Sequence, residues 1–193
     1  MRVVGGVARG RRLQAPAGGA IRPTSDFVRE AVFDMLASLN TVVGAEVVDL
    51  FAGTGAMGIE ALSRGAAGAT FVERHRRARQ AILANLATAG FAAAPTAAET
   101  GPSIRVVGAD VLAWLESSQP GNDRACDLVL CDPPYRFSAW AELLWALRTG
   151  LSPALAVLES AHPIEAVGGW EILRIKHYGG TVVTVIRLPV AER

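Results

Sequence analysis

Residues 47–60 read VVDLFAGTGAMGIE, and the rest of the chain is organised around this stretch. The two valines are typical of the end of a buried strand, which Asp49 closes, and a helix is predicted to open at Ile59. A sharp turn is predicted between them, at Gly53, Gly55 and Gly58. Glycines let a backbone approach a ligand closely, so the strand, turn and helix together predict a nucleotide-binding unit. The spacing G-x-G-x-x-G fits a dinucleotide and equally S-adenosylmethionine, so other residues must decide between them.

The length and composition favour one folded domain in the cytoplasm. Of the 193 residues, 51% are hydrophobic and 19% are charged, which allows a sizeable core and argues against disorder. The net charge of +1 gives no hint about partners. No uncharged apolar run approaches the ~18 residues of a membrane span, and the basic amino terminus lacks the apolar segment of a signal peptide. We therefore expect a cytoplasmic protein with no membrane partner.

Two cysteines, Cys126 and Cys131, fall on one predicted strand. Their separation matches no zinc or redox spacing. Buried free thiols in a reducing compartment are the expected outcome, and no metal site is predicted.

Positive charge is concentrated at the amino terminus. Residues 1–22 contain no Asp or Glu and five arginines, namely Arg2, Arg9, Arg11, Arg12 and Arg22. Weak alternation in residues 2–15 predicts a small β-hairpin or extended arm, with a solvated flexible terminus as the alternative. Arginines without acids suit a phosphate backbone. We therefore divide the chain into a basic arm, residues 1–22, and a main domain, residues 23–193.

Strand and helix patterns alternate along the main domain. Helices are predicted between strands at about 45–50, 69–72, 104–107, 127–131 and 154–158. Such alternation implies a doubly wound, mostly parallel α/β sheet. Two further alternating segments flank Gly179 and Gly180, which predicts a closing hairpin with an antiparallel strand. Residues 91–103 are predicted to be a loop, and residues 119–123, QPGND, a turn.

Acidic residues end four of the predicted strands, namely Asp49, Glu73, Asp110 and Asp132. Ligands of an open parallel sheet bind at the carboxyl ends of its strands, so these acids are more than solvated surface. We expect Asp49 to accept a hydrogen bond from an amino group, Glu73 from ribose hydroxyls and Asp110 from an adenine amino group. Asp132 is expected to face the reacting atom.

Arginines follow Glu73 at the start of the next predicted helix, at Arg74, Arg76, Arg77 and Arg79. Cations there oppose the helix dipole, so helix stability does not explain their placement. A solvated face is the favoured interpretation, and a nucleic-acid contact is the alternative.

The most discriminating motif is DPPY, formed by Asp132, Pro133, Pro134 and Tyr135. Two prolines fix φ and remove two backbone donors, which leaves a stiff segment with a carboxylate, carbonyls and a ring. That set suits an exocyclic amine on a flat base, because Asp132 and the Pro133 carbonyl can accept both N–H bonds. The nitrogen lone pair is then free to face a methyl donor, and Tyr135 can stack on the base. A plain proline turn is the alternative.

These motifs resemble those of known families. FAGTG, GAD and DPPY are similar to motifs of Rossmann-like S-adenosylmethionine-dependent methyltransferases. More narrowly, RVVGGVARGRRLQAP (2–16), RPTSDFVREAVFDML (22–36) and VVDLFAGTGAMGIEALSRGA (47–66) resemble the bacterial 16S rRNA guanine-N2 methyltransferase family, RsmD. The resemblance implies a seven-stranded sheet with a reversed final strand. It also implies methylation of a guanine N2 in 16S rRNA, within the small ribosomal subunit or its assembly intermediate, by a monomer.

The same resemblance assigns expected roles to residues. Contacts with S-adenosylmethionine, or with the product S-adenosylhomocysteine, are expected from Asp49, Phe51, Ala52, Gly53, Gly55, Glu73, Arg74, Asp110, Val111 and Asp132. The catalytic box is expected to be Asp132, Pro133, Pro134 and Tyr135. RNA contacts are expected from Arg2, Arg9, Arg11, Arg12 and Arg22. Residues 91–103 follow no family pattern and receive no role.

Three other functions compete with this one. An amino-methyltransferase acting on DNA adenine N6 or on a protein amide would use the same DPPY box, although 193 residues leave little room for a DNA-recognition region. A nicotinamide-dependent oxidoreductase would fit G-x-G-x-x-G, but His75, His162 and His177 are isolated and no hydride-site motif accompanies the turn. A non-enzymatic RNA-binding or assembly factor would not need the DPPY box.

Overall fold

The computed structural model describes residues 1–15, 25–91, 101–117, 126–151 and 153–189. Three features predicted from the sequence lie outside these ranges: Arg22, the turn at 119–123, and residues 92–100 of the predicted loop. The other predicted site residues all lie within them.

In the described part of the chain, a seven-stranded sheet forms the middle layer, in the order β3-β2-β1-β4-β5-β7-β6. The strands are β1 (Glu46–Leu50), β2 (Gly68–Val72), β3 (Ser103–Val107), β4 (Leu128–Cys131), β5 (Leu155–Ser160), β6 (Glu171–Tyr178) and β7 (Thr181–Arg187). The first five are parallel, whereas β7 runs antiparallel to both β5 and β6. The predicted doubly wound sheet with a reversed final strand is therefore confirmed.

Within the same ranges, five helices cover the two faces of the sheet: α1 (Asp26–Ser38), α2 (Ala56–Ser63), α3 (Arg76–Ala89), α4 (Val111–Glu116) and α5 (Trp140–Gly150). Successive side chains of a strand point to opposite faces, so the central strands β1, β4 and β5 each contribute to two cores. Val47, Leu128 and Val157 pack beneath α1 and α2, whereas Val48, Val129 and Ala156 pack beneath α4 and α5. These central strands are apolar on both faces because helices bury both, whereas the edge strand β6 is largely exposed.

The glycine-rich turn differs from the sequence prediction at both ends. Strand β1 continues to Leu50, so Asp49 lies within the strand and does not close it. Helix α2 begins at Ala56, so Gly58 belongs to the helix and not to the turn. The turn is therefore short, residues 51–55, and it delivers the chain directly into the first turn of α2.

The amino-terminal segment, residues 1–15, forms a hairpin-like loop that packs on α2 and α3. Arg2 and Arg12 make an antiparallel bridge. Val3, Ala8 and Leu13 are buried in one hydrophobic cluster with Ile59 of α2 and Leu86 of α3. The segment folds back on itself without forming regular strands, and its apolar side chains make it part of the folded core.

Candidate active site

Four strand ends bring the predicted acids to one edge. Strands β3, β2, β1 and β4 are parallel neighbours, so their carboxyl ends lie side by side. Two backbone bonds extend this edge beyond the strands, from Ala52 N to the Val72 carbonyl and from Glu73 N to the Val107 carbonyl, both 3.1 Å. Asp49, Glu73, Asp110 and Asp132 therefore line one edge of the sheet, as their sequence positions predicted.

Asp49 is buried beneath the glycine turn, with 3% of its surface exposed. Its Oδ2 accepts a hydrogen bond from Gly58 N at 2.9 Å. Burial raises the pKa of Asp49 well above its ordinary value of 3.8, and the charges of Asp132 and Glu73 raise it further, against the lowering effect of the Gly58 N–H. Ionised Asp49 is thus held at an energetic cost, which a cationic ligand would relieve.

Gly58 is required by the close approach of α2 to the sheet. A Cβ at this position would lie 2.4 Å from the ring of Phe71 and 3.1 Å from Asp49 Oδ2. Its N–H is also the donor that satisfies Asp49. Gly58, the third glycine of the motif, therefore lets α2 pack closely on the sheet, and its N–H binds the Asp49 carboxylate.

Glu73 clamps the glycine turn from the neighbouring strand. Its Oε2 accepts from Gly53 N at 3.0 Å, and its Oε1 accepts from His75 N at 2.7 Å. Each carboxylate oxygen has two lone-pair sites, so one further acceptor position remains on each. The Glu73 carboxylate therefore fixes the turn by accepting from the Gly53 N–H, and it can still accept a hydrogen bond from a ligand hydroxyl.

Asp110 is the N-cap of α4. Its side chain accepts from Leu112 N at 3.1 Å and from Ala113 N at 3.5 Å. The other oxygen lies 3.8 Å from an exposed Arg74 guanidinium nitrogen. Val111, the first residue of α4, is buried. The expected cofactor residues Arg74, Asp110 and Val111 thus adjoin one another at the end of β3.

The arginines after Glu73 divide into two groups. Arg74, Arg76 and Arg77 are exposed, as a solvated face predicts. Arg79 is partly buried, and its guanidinium donates to the backbone carbonyls of Glu73 and Arg74 at 3.1 and 2.7 Å. For Arg79 the solvated-face interpretation is wrong, because its guanidinium is bonded to the backbone of the segment that connects β2 to α3.

The DPPY segment turns sharply after β4. Asp132 is partly buried and Pro133 is buried, whereas Pro134 and Tyr135 are exposed, Tyr135 by 60%. The Pro134 carbonyl accepts from Phe137 N at 2.8 Å, which closes the turn. The motif therefore presents a carboxylate at the bottom and an aromatic ring at the rim.

Phe137 is a residue that the sequence did not single out. Its ring lies edge-on to Phe51, with centroids 5.3 Å apart, and to Trp140 at 5.1 Å. Phe51 has a left-handed backbone conformation, φ 57°, which is uncommon for a bulky residue. The pair joins the glycine turn to the DPPY turn across 86 positions of sequence, so no local pattern indicates the contact.

Three buried side chains hold the backbone of the amino-terminal segment. Glu60 accepts from Val4 N and Gly5 N, both at 2.8 Å, and Ser63 Oγ accepts from Ala8 N at 2.9 Å. Asn85 exchanges hydrogen bonds with Gln14 and also donates to the Thr54 carbonyl of the glycine turn at 2.9 Å. These anchors were not predicted, since Glu60 and Asn85 look like ordinary helix residues.

Glu60 itself is compensated by cations. Arg64 Nε donates to its Oε1 at 2.8 Å, and the fully buried Arg29 lies 3.7 Å from its Oε2. Arg29 also donates to the Arg2 carbonyl and to Asp26. With the backbone held in this way, the side chains of Arg2, Arg9, Arg11 and Arg12 are exposed.

Both cysteines are poor nucleophiles. Burial raises the pKa of Cys126 to about 12 and that of Cys131 well above its ordinary value. Neither forms a disulfide. Among the described residues, no cluster of three or more His, Cys, Asp or Glu side chains is arranged to hold a metal ion. In the same part of the chain, the helices are too short or too polar to span a bilayer.

Comparison with known proteins places these features in a family. The family model described as Conserved hypothetical protein 95 matches residues 1–187. Ribosomal RNA small subunit methyltransferase D of Escherichia coli K12 is 42% identical over 138 residues, which are 70% of this chain and 61% of that protein. The chain thus spans under two thirds of the length of that relative. The Haemophilus influenzae protein of the same name is 31% identical over 184 residues, 93% of this chain and 89% of the relative.

The fold is also similar to solved structures. An Escherichia coli structure provisionally described as a methyltransferase superposes with a TM-score of 0.78 at 34% identity, covering 97% of each chain. The fold is therefore shared along nearly the whole length of both chains.

Proposed function

This chain belongs to the Conserved hypothetical protein 95 family, the family of ribosomal RNA small subunit methyltransferase D (RsmD), and we propose that it methylates ribosomal RNA. The proposed reaction transfers a methyl group from S-adenosylmethionine to the exocyclic N2 of a guanine in 16S rRNA. The observation that carries the proposal is the DPPY turn, whose carboxylate lies beside a buried acidic edge. The substrate would be the small ribosomal subunit or its assembly intermediate, in the cytoplasm, and the enzyme a monomer.

The residues at the carboxyl edge fit the proposed cofactor by charge. Asp49, Glu73 and Asp132 are close enough that the latter two raise the pKa of Asp49. Such a cluster favours a cationic ligand, and S-adenosylmethionine carries a sulfonium and an ammonium group. Contacts would come from Asp49, Phe51, Ala52, Gly53, Gly55, Glu73, Arg74, Asp110, Val111 and Asp132. When bound, this cofactor supplies an electrophilic methyl group.

Asp132 and the DPPY backbone would position the attacking amine. The lone pair of an exocyclic nitrogen is delocalised into its base, so the nitrogen is a weak nucleophile. Asp132 and the Pro133 carbonyl would accept its two N–H bonds, which favours a lone pair directed at the methyl carbon. Tyr135, exposed at the rim, would stack on the flipped base. Orientation would supply most of the acceleration.

The basic surface of residues 1–15 supports the RNA part of the proposal. Arg2, Arg9, Arg11 and Arg12 are exposed on a loop that the core holds in place. Arg22, outside the described residues, would add a fifth cation. These side chains would hold phosphates while the target guanine enters the DPPY pocket.

Tritium transfer from labelled S-adenosylmethionine tests the proposal. We expect label in small ribosomal subunits or in 16S rRNA, and mass mapping should place the methyl group on a guanine N2. Duplex DNA and protein fractions should remain unlabelled. Label in DNA adenine, or in no RNA at all, would contradict the proposed function.

A further inference from the structure

An exposed aromatic pair lies apart from the DPPY turn. Phe27 belongs to the first turn of α1, and 67% of its surface is exposed. The Tyr178 ring, which is partly buried, meets it edge-on, with centroids 5.9 Å apart and an angle of 81° between the planes. Tyr178 thus orients the Phe27 ring while much of that ring stays open to solvent.

The pair lies on the same edge of the sheet as the candidate site. Ser160, the last residue of β5, pairs with Val182, and Thr181 pairs with Tyr178. The turn between β6 and β7 therefore reaches the carboxyl edge, where Asp132 follows β4. Three strand spacings separate β4 from β6, so Tyr178 lies roughly 14 Å along the edge from Asp132. The pair therefore lies beside the DPPY turn and not within it.

Exposed cations lie near the pair, together with one exposed acid, Glu30, which follows Phe27 by about one turn of α1. Lys176 is exposed on β6 two residues before Tyr178, and therefore on the same face of the sheet. Arg2 is exposed on the amino-terminal loop and lies 3.8 Å from Asp26, the residue before Phe27. The Asp26 carboxylate is also bonded by Arg29 at 2.7 Å, so its negative charge is compensated.

The occupant that fits is a nucleobase. One ring with an edge-on neighbour is far too small for a stable protein interface, which needs ~800 Å² on each partner. An open aromatic face beside cations is, in contrast, the usual platform for an unpaired base. We propose that Phe27 stacks on an unpaired RNA base close to the methylated guanine, and that Tyr178 positions the Phe27 ring. This inference rests on the proposed function, whose RNA substrate it specifies further.

Steady-state methylation of small ribosomal subunits tests the stacking role. Phe27→Ala should raise KM for the RNA substrate ~10-fold, about 1.4 kcal/mol, with kcat within ~2-fold of wild type. Phe27→Trp should retain a near-normal KM, and so should Tyr178→Phe, because both keep an aromatic ring. The matched control is Trp145→Ala, which removes an exposed ring from α5 on the opposite face of the sheet and should leave KM unchanged.

Photo-crosslinking gives a second readout that does not depend on turnover. With benzoylphenylalanine at position 27, irradiation with 16S rRNA should crosslink a nucleotide near the methylated guanine in sequence or in the same loop. The same group at position 145 should crosslink little. Either an unchanged KM for Phe27→Ala or the absence of a crosslink from position 27 would overturn the stacking role.

The two proposals fail in different ways. If the wild type labels subunits but Phe27→Ala matches it in KM, the methylation function stands and the stacking role is wrong. If the wild type labels no RNA but binds 16S rRNA in a filter assay, and Phe27→Ala weakens that binding ~10-fold, the stacking role stands and the methylation function is wrong. Equal filter binding by both proteins would then overturn both.

Discussion

The carboxyl edge of the sheet has two halves that are built differently. In the half formed by β1 and β2, Asp49 and Glu73 are buried and accept hydrogen bonds from backbone N–H groups of the glycine turn and α2. In the half that runs from β4 to β6, Asp132 is only partly buried. Tyr135 and Phe27, the latter on the adjoining helix α1, are largely exposed. The fold itself therefore organises the proposed cofactor half, whereas the substrate half keeps open surfaces for an incoming base.

The largest expected effect separates chemistry from cofactor binding. Asp132→Ala should lower kcat ~10²–10³-fold, because the acceptor that orients the amine is lost. Affinity for S-adenosylhomocysteine, measured by calorimetry, should fall less than ~5-fold, since the β1 and β2 half is intact. Leu83→Ala, a change at an exposed position of α3, serves as the control. A near-normal kcat would remove Asp132 from the mechanism.

The second test concerns the basic loop. Replacing Arg9, Arg11 and Arg12 together by Ala should weaken 16S rRNA binding ~10-fold or more and reduce the salt slope of binding by up to ~3. Cofactor affinity should not change. Arg105→Ala, on an exposed position of β3, is the control for a lost arginine. An unchanged salt slope would exclude phosphate contacts by these side chains.

Point substitutions are preferable to deleting the loop. Residues 1–15 bury Val3, Ala8 and Leu13, and their backbone satisfies the buried Glu60. Deletion would expose a core and leave Glu60 without two of its donors, so lost activity would report on folding as well as on RNA.

The third test breaks the packing of the cofactor half. Gly58→Ala should destabilise the protein by ~1–3 kcal/mol, because its Cβ would overlap the Phe71 ring. Urea denaturation measures the change. Gly180→Ala is the matched control, since a Cβ there meets no atom within 4 Å. Equal stability of both variants would show that α2 can shift away from the sheet without cost.

The smallest expected effect is a rise in melting temperature when the buried Asp49 is replaced. Burial raises the pKa of folded Asp49 above 3.8, so the neutral form is favoured in the fold, and its stabilising effect is lost as pH rises through that pKa. Asp49→Asn should therefore melt a few degrees above wild type at pH 7, and the difference should shrink as the pH falls toward about 4. The same variant should bind S-adenosylmethionine more weakly. A lower melting temperature of Asp49→Asn at pH 7 would contradict the energetic cost that we assign to ionised, buried Asp49.

The alternating apolar segments and the acids at strand ends predicted the sheet and its active edge because both signals are local. Gly58 was misplaced, since the need for glycine there comes from Phe71 on another strand and not from turn geometry. Glu60, Asn85 and Phe137 were missed because their partners lie 55 to 86 positions away. The ligand contacts of the site residues remain predictions.

The anchoring of the amino-terminal loop has a consequence for biosynthesis. Gln14 is made early, but its partner Asn85 follows 71 residues later. At ~5–20 residues per second, the ribosome needs about 4–14 s to supply that partner. During this interval the basic loop has no surface to pack against. A nascent chain should therefore bind RNA through an ordered basic loop only after its glycine turn and α3 have emerged.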